Sequence, residues 1–386
     1  MAETTSYRRS LGLLELVSLG VGGTIGSGIF VVPGIAARLT GVWSLFAWLI
    51  VAVSASCVLF SLASVSARFT DSGGFYSLFE SVFGRRAAAP LIVIYLVSSI
   101  FGISTIAAGI GQYIGYFGLA QVLVIEIGII AGFCCINIIG ISLAGKTETL
   151  LTLIKIVPLI LIAFLLLPFV RLENLAPAAP LTTAGLLATV IIVYWPFTGF
   201  EISAIPVEET TDPRLIKKSL ICVMAIVVSV YLLLNIALIG SVGVAVLAAS
   251  PAPVATAAAL VIADAGPVVV CIGIVAMLSA INAYIIGTSR ILQNLSARFG
   301  IPRLRKLGAR GTPVYALVAG CGIAASLLLI SNHFDQLASI SVITTLIPYL
   351  FFCIASWILV EKTRTRVVSA AGALSTFAIL ILYFFL

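Results

Sequence analysis

Residues 20–34 read GVGGTIGSGIFVVPG, with six glycines and one proline inside a stretch that is apolar enough to cross a membrane. Glycine is a poor helix former, and a chain in lipid must satisfy its backbone hydrogen bonds internally. Packing explains Gly22 and Gly26, which have the four-residue spacing of small residues at a helix–helix contact. It explains less about Gly26, Ser27 and Gly28, which are almost adjacent. We therefore predict that this helix is interrupted at mid-membrane.

The composition indicates that the whole chain is a membrane protein. Of its 386 residues, 61% are hydrophobic and only 9% are charged, and the mean hydropathy is +1.25. A soluble domain of this length could not keep so much apolar surface out of water. The net charge of +7 is explained by the surplus of Lys and Arg in cytoplasmic loops. Because no basic patch is interleaved with aromatic residues, nucleic acid is not an expected partner.

Apolar runs of helix length predict eleven transmembrane helices. They cover residues 11–37, 41–67, 88–116, 120–141, 147–170, 184–206, 216–240, 266–297, 312–331, 337–360 and 367–386. The segment 244–264 is also apolar but is broken by Pro251 and Pro253, so we predict an external re-entrant or interfacial hairpin there.

The distribution of basic residues orients these helices. With the N-terminus inside, 18 of the 21 Lys and Arg residues lie in cytoplasmic segments, and two, Arg38 and Arg171, lie in external ones. The last one, Lys155, lies within the fifth helix. This bias predicts a multi-pass protein of the cell (plasma or inner) membrane, surrounded by lipid, with a cytoplasmic N-terminus.

The helices divide into two blocks of similar length. We predict a single transmembrane domain, 1–386, that comprises helices 1–5 at 11–170, helices 6–10 at 184–360 and an additional helix 11 at 367–386. Because five is odd, the second block enters the membrane from the opposite side. Its first helix is also interrupted, in YWPFTGFE at 194–201, by Pro196 and Gly199. Paired interruptions in two inverted halves predict a transporter with a binding site at mid-membrane.

Other function classes lack the residues they need. The one histidine, His333, lies in a short loop, and all seven cysteines fall in apolar runs, so no metal-ligand spacing is present. A membrane hydrolase would need a histidine or paired carboxylates at a cavity, and ATP-driven transport would need a GxxxxGK[ST] motif. We expect no enzyme activity, no catalytic residues, no cofactor and no bound metal.

Three sequence motifs lie on helices 1, 6 and 8 in that order. Helix 1 contains GxxxGSGIFxxPG, helix 6 contains FTGFE followed by VEETTDPR, and helix 8 contains SxxNAxxxxxSR followed by FGIP. Together they resemble the amino acid–polyamine–organocation (APC) transporter superfamily, and the similarity extends through helix 10. The superfamily usually has twelve helices, so the count of eleven departs from it and leaves the oligomeric state open.

The resemblance implies an all-α integral membrane fold of the LeuT-like type, a five-plus-five inverted repeat in which helices 1 and 6 are discontinuous. It also implies an amino acid substrate that is moved by alternating access. An interrupted helix presents N–H groups at one end and C=O groups at the other, which suit the carboxylate and the ammonium of an amino acid. Matched to this chain, the amides of Ser27, Gly28 and Ile29 would bind the carboxylate.

By the same match, the carbonyls of Thr24, Trp195 and Thr198 would bind the amine. The substrate-binding residues that we predict are Thr24, Ile25, Gly26, Ser27, Gly28, Ile29, Trp195, Phe197, Thr198, Gly199 and Phe200. Trp195 and Phe200 flank the second interruption and could form an aromatic lid, or they could be ordinary core or lipid-facing aromatics.

Four residues are candidates for coupling or gating: Lys155, Glu201, Ser279 and Asn282. Lys155 lies about 12 Å into helix 5 at 1.5 Å per residue. An intramembrane lysine is a functional candidate, although its stem could instead snorkel to the surface. In sodium-independent superfamily members, a lysine at this place substitutes for a sodium ion. The resemblance therefore implies Na⁺-independent transport, by proton symport or by exchange, since burial disfavours the charged form and could let Lys155 release a proton.

The charged residues within the spans also bear on the substrate. No arginine is placed to pair with an acidic substrate, so we expect small or mid-sized neutral L-amino acids. Glu201 keeps a cationic amino acid or a polyamine as the alternative. A third reading, from another class, is a transport subunit or nutrient sensor that works with a partner protein.

Overall fold

The structure is a computed structural model that describes residues 9–66, 74–115, 117–118 and 121–384. Fifteen α-helices form in these ranges, joined by 3₁₀ turns and loops, with no sheet among the described residues. The helices are α1 Leu13–Thr24, α2 Ser27–Thr40, α3 Ser44–Val65, α4 Phe75–Phe83, α5 Arg85–Gly115, α6 Val122–Ile139, α7 Ile141–Leu166, α8 Thr183–Tyr194, α9 Arg214–Val242, α10 Val244–Ala249, α11 Pro253–Val261, α12 Ala265–Arg298, α13 Val314–Ile330, α14 Phe334–Leu359 and α15 Thr363–Phe384.

Most of these helices are long and apolar enough to cross a membrane. In the described part of the chain, nine stretches meet this description by length and composition, and the first, Leu13–Val65, has 53 residues. A stretch of that length exceeds the roughly 20 residues of one crossing. The helical path is interrupted at Gly41, where φ is +59°. The stretch therefore accounts for two crossings. With the shorter apolar helix α13, these segments account for the eleven predicted helices.

Two of the predicted helices are discontinuous, as expected. The first is divided into α1 and α2 at Ile25 and Gly26. The sixth ends as α8 and continues in two 3₁₀ turns, Trp195–Phe197 and Phe200–Ala204. Proline alone does not mark a break, because four prolines lie within continuous helices: Pro33, Pro90, Pro158 and Pro348.

The segment predicted to form a hairpin consists of the two short helices α10 and α11. Both pack against α2. A Cβ atom on Gly34 of α2 would lie 2.9 Å from the carbonyl oxygen of Leu247 in α10. Glycine is therefore what allows the hairpin to pack so closely on the second half of the first helix.

The discontinuous helices lie at the centre of the bundle. Helix α1 packs against α7, α9 and α12, and α5 packs against α12 and α14. Helices α5 and α12 are the most deeply buried of the candidate spans, each with 72% of its apolar window inside the protein. Backbone left unpaired at the two interruptions is therefore enclosed by protein rather than by lipid, which is the condition for irregular backbone at membrane depth.

Candidate functional site

The first break, defined as Ile25 and Gly26, leaves two sets of backbone groups with unlike charge. Ser27, Gly28 and Ile29 are the first residues of α2, so their N–H groups have no partner within the helix. They carry the partial positive charge of a helix N-terminus. On the other side of the break, the last carbonyls of α1 carry partial negative charge.

Lys155 binds this carbonyl end of α1. Its side chain is completely buried. The Nζ atom donates to the carbonyl oxygens of Gly22 at 3.0 Å and Ile25 at 2.7 Å, and to the Oγ of Ser279 at 2.8 Å. Since three acceptors inside the protein use all three ammonium protons, the stem does not reach towards the surface.

The second break, defined as Thr198 and Gly199, follows a tight 3₁₀ turn. Gly199 has φ of +95°, a backbone conformation that favours glycine. The carbonyl of Trp195 accepts from both the N–H of Thr198 at 3.1 Å and its hydroxyl at 2.8 Å. This carbonyl, predicted to bind the amine, is therefore already used twice within its own turn.

The two breaks are in direct backbone contact. A Cβ atom on Gly199 would lie 2.5 Å from the carbonyl oxygen of Gly23, and one on Gly28 would lie 2.6 Å from the Cα of Pro196. No side chain fits at either contact without displacing backbone. These glycines are needed because the two interrupted helices touch each other.

Two side chains also join the breaks. The indole N–H of Trp195 donates to the Oγ of Ser27 at 3.2 Å. The hydroxyl of Tyr231 lies 2.8 Å from the carbonyl oxygen of Thr24 and 2.9 Å from that of Pro196. Thr24 also accepts from the N–H of Gly26 at 3.1 Å, so its carbonyl is engaged as well.

A small cavity, called here the central cavity, lies between the breaks. Its volume is about 10 Å³, and it is lined by Gly23, Thr24, Gly26, Ser27, Gly28, Ile106, Trp195, Thr198 and Tyr284. Such a space holds about one water molecule. The cavity is closed in this conformation, and a molecule larger than water would fit only if it widened.

Six of the eleven residues predicted to bind substrate line the central cavity: Thr24, Gly26, Ser27, Gly28, Trp195 and Thr198. The others lie behind its wall. Phe197 packs on Trp48, with ring centroids 5.8 Å apart, and Phe200 packs on Tyr349 at 5.2 Å, while Ile25 and Ile29 are in the core. Gly199 shapes the wall by its contact with the first break.

Sequence reasoning missed three cavity residues: Gly23 of α1, which precedes the first break, Ile106 of α5 and Tyr284 of α12. The Tyr284 ring lies against Gly102, and its hydroxyl is 3.3 Å from the Oγ1 of Thr198. Ile106 belongs to no recognisable motif, and Tyr284 occupies an unspecified position of the helix 8 motif. Only the packing of α5 and α12 around the breaks brings them to the cavity.

Glu201 does not line the cavity. Its carboxylate is buried and accepts three hydrogen bonds, from the hydroxyls of Tyr95 at 2.7 Å and Tyr349 at 2.5 Å and from the N–H of Gly199 at 3.1 Å. It therefore ties the second break to α5 and α14. No spacing in the sequence links these two tyrosines to Glu201.

A buried ion pair closes one end of the bundle. Arg290 donates from Nε to the Oε2 of Glu209 and from one terminal nitrogen to its Oε1, both at 3.1 Å, and neither side chain is exposed. Beside them, the N–H groups of Ser10 and Leu11 donate to the Glu209 carbonyl at 2.8 and 3.0 Å. The start of the chain, the segment after the second break and α12 thus meet at one point.

Comparisons with known proteins agree with this architecture. The family model described as amino acid permease matches residues 11–386. The serine/threonine exchanger SteT of Bacillus subtilis is 26% identical over 379 residues, covering 94% of this chain and 86% of SteT. The branched-chain amino acid permease BcaP of the same organism is 23% identical, covering 92% of this chain and 82% of BcaP.

A solved structure shows the same fold. The crystal structure of MhsT in complex with L-phenylalanine superposes with a TM-score of 0.73 at 12% identity, covering 98% of this chain and 99% of that one. That protein has the LeuT fold, in which discontinuous helices form the central site. The chain therefore belongs to the amino acid permease family of the APC superfamily, whose members are multi-pass membrane transporters and not enzymes.

Proposed function

We propose that this protein is a secondary active transporter of small or mid-sized neutral L-amino acids, independent of Na⁺, that works by alternating access. It would lie in the cell membrane with its N-terminus in the cytoplasm, and its inverted halves would be residues 11–170 and 184–360, with helix 11 at 367–386. The observation that carries the proposal is the contact between two helix breaks around a small, uncharged cavity.

The breaks offer ligands for both charges of an amino acid. The amides of Ser27, Gly28 and Ile29 would bind the carboxylate at the N-terminus of α2. The carbonyls of Thr24 and Trp195 both accept hydrogen bonds in the closed cavity, so we expect the carbonyls of Thr24, Trp195 and Thr198 to bind the amine only once the breaks separate. Binding would then replace contacts that hold the closed cavity together.

The lining of the central cavity favours a neutral side chain. None of its nine residues is charged, and a buried cationic side chain would need a carboxylate partner. Glu201, two residues after the second break, is the candidate carboxylate for a cationic side chain. Its oxygens, however, already accept hydrogen bonds from two tyrosines and a backbone N–H. A cationic substrate remains the alternative, and it would have to break these bonds.

Lys155 supports the absence of Na⁺ coupling. The carbonyls of Gly22 and Ile25 face its ammonium, and such carbonyls at a helix break are ligands that a sodium ion would use. The Lys155 ammonium at this position makes a bound cation unfavourable. Transport would then be either proton symport or exchange.

Alternating access requires that each end of the cavity open in turn. We assign the end closed by Arg290 and Glu209 to the cytoplasm, because it also holds the start of the chain and the basic segments favour that side. Trp195, whose ring meets Phe334 edge to face at 6.5 Å, would be the aromatic lid over the site.

The test is uptake of labelled amino acids by the purified protein in liposomes. The panel should include neutral, cationic and acidic amino acids, each with and without Na⁺, a pH gradient and internal amino acid. We expect uptake of small neutral amino acids without Na⁺. Uptake by the protein alone would also argue against a subunit that needs a partner or a sensor that does not transport.

Matched glycine variants give this assay its control. Gly28→Val should abolish uptake because its side chain would overlap Pro196, whereas Gly132→Val has open space around it and should retain uptake. If no amino acid is taken up under any condition, the proposed function is wrong. If only arginine or lysine is taken up, the cationic alternative replaces it.

A further inference from the structure

A second buried charge lies beside Lys155. Glu148 is on the same helix, two turns earlier, and is completely buried. Its Oε1 accepts from the hydroxyls of Ser279 and, at 3.2 Å, Thr152, and its Oε2 accepts from the amide of Asn282 at 2.9 Å. Lys155 donates to the same Ser279 hydroxyl at 2.8 Å. One hydroxyl group therefore bridges the ammonium and the carboxylate.

Among the described residues, Lys155 and Glu148 compensate only each other's charge. The remaining partners of Lys155 are the neutral carbonyls of Gly22 and Ile25. Within the described part of the chain, Lys155 is the charge that acts on Glu148, and Glu148 is the charge that acts on Lys155. An isolated charge in a buried site is costly. The pair is therefore stable when both members are charged or both are neutral, and it is unstable when only one member is charged.

The neighbouring helices contribute polar but uncharged groups. Helices α1, α6, α9, α11 and α12 pack against α7. Besides the α1 carbonyls, the groups that face the pair are the Ser279 hydroxyl and the Asn282 amide of α12, and Asn137 of α6, which donates to Asn282 at 3.0 Å. Among the described residues, no other ionisable side chain of these helices acts on either member.

Granting the transport function proposed above, on which this inference rests, we propose that Glu148 is the internal proton partner of Lys155. A proton passes from the Lys155 ammonium to the Ser279 oxygen while the Ser279 proton passes to a Glu148 oxygen. One N–H bond of Lys155 breaks and one O–H bond forms on Glu148. Ser279 gives up one proton and receives another, so it remains a hydroxyl. The products are a neutral amine and a neutral carboxylic acid, with no proton gained or lost.

This transfer changes how firmly the first break is held. A neutral amine donates weaker hydrogen bonds than an ammonium, so the carbonyls of Gly22 and Ile25 are released when Lys155 becomes neutral. Helix α1 can then move without an unpaired charge remaining in the membrane. Because the proton stays within the pair, the cycle needs no proton from either side, and transport is exchange rather than proton symport.

The first experiment compares the pH dependence of melting temperature for the purified wild type, Glu148→Gln, Lys155→Met and the double variant. Glu148→Gln leaves an unpaired ammonium, so it should be destabilised at neutral pH and regain stability as pH rises and the amine deprotonates. Lys155→Met leaves an unpaired carboxylate, so it should regain stability as pH falls and the acid protonates. The double variant should be more stable than either single variant, with a nearly flat profile.

Controls separate pairing from general damage. Glu173→Gln and Lys362→Met make the same two kinds of substitution at exposed residues. Their melting temperatures should depend on pH as that of the wild type does. Ser279→Ala removes the bridging hydroxyl and should lose stability. Opposite slopes for the two single variants support the pair. Parallel slopes, or a double variant whose loss equals the sum of the single losses, would overturn it.

The second experiment measures proton movement during transport. Liposomes that contain the wild type and a trapped pH-sensitive dye are given labelled L-serine, with L-serine inside. Serine exchange without a dye response is the result that internal transfer requires, and a dye response that follows serine uptake contradicts internal transfer. If L-serine does not enter, that result bears on the proposed function, while the melting profiles still decide whether Glu148 and Lys155 act as a pair.

Discussion

The contact between the two breaks makes Gly199→Ala the most informative single substitution. Its φ of +95° is a conformation that costs an alanine about 1–2 kcal/mol. The new Cβ would also lie 2.5 Å from the Gly23 carbonyl oxygen and 2.7 Å from its carbon. Both are backbone atoms, so no side-chain rotation relieves the overlap, and overpacking of this kind costs about 1–3 kcal/mol.

Together the two costs amount to about 2–5 kcal/mol, and each 1.4 kcal/mol corresponds to about a tenfold change in an equilibrium constant. We therefore expect Gly199→Ala to lower the folding equilibrium constant of the purified protein at least about tenfold, which appears as a lower melting temperature. Melting is followed by tryptophan fluorescence in detergent.

Gly132→Ala is the matched control. Gly132 lies within α6, and a Cβ atom added to it would have no neighbour within 4 Å. Alanine in a helix interior is favoured over glycine by about 0.5–1 kcal/mol, so this variant should be as stable as the wild type or slightly more stable. If Gly199→Ala melts like the wild type, the two breaks are not held in the contact described here.

Two further predictions concern the closed end and the cavity wall. Arg290→Ala leaves the carboxylate of Glu209 buried without its partner, so unfolding free energy should fall by about 3–5 kcal/mol, as measured by denaturation in detergent. The double variant with Glu209→Ala should recover part of this loss, and a double variant no more stable than the single one would contradict the pairing. Ile106→Ala removes bulk from the cavity wall, so larger neutral amino acids should compete better for uptake relative to small ones. Unchanged competition would mean that Ile106 does not limit the size of the substrate.

Much of the fold could be predicted from the sequence because lipid restricts the possible structures. A spanning segment must be apolar and helical to satisfy its backbone, so helix number and approximate bounds follow from hydropathy. The interruptions were also predictable, since residues that weaken a helix are clustered at Gly26 to Gly28 and at Pro196 to Gly199. The hairpin at 244–264 followed from its two prolines.

The sequence by itself determined the class of fold, the positions of both breaks and the buried lysine. Only the tertiary structure decided what these features contact. Ile106, Tyr284 and Glu148 reach the site or its network from separate helices, and their side chains carry no local signal of that destination. Gly22 has the spacing of a packing residue, yet a side chain there would overlap the carboxylate of Glu148. Periodicity reports which face of a helix is buried, whereas the partner on that face is set by how distant helices pack together.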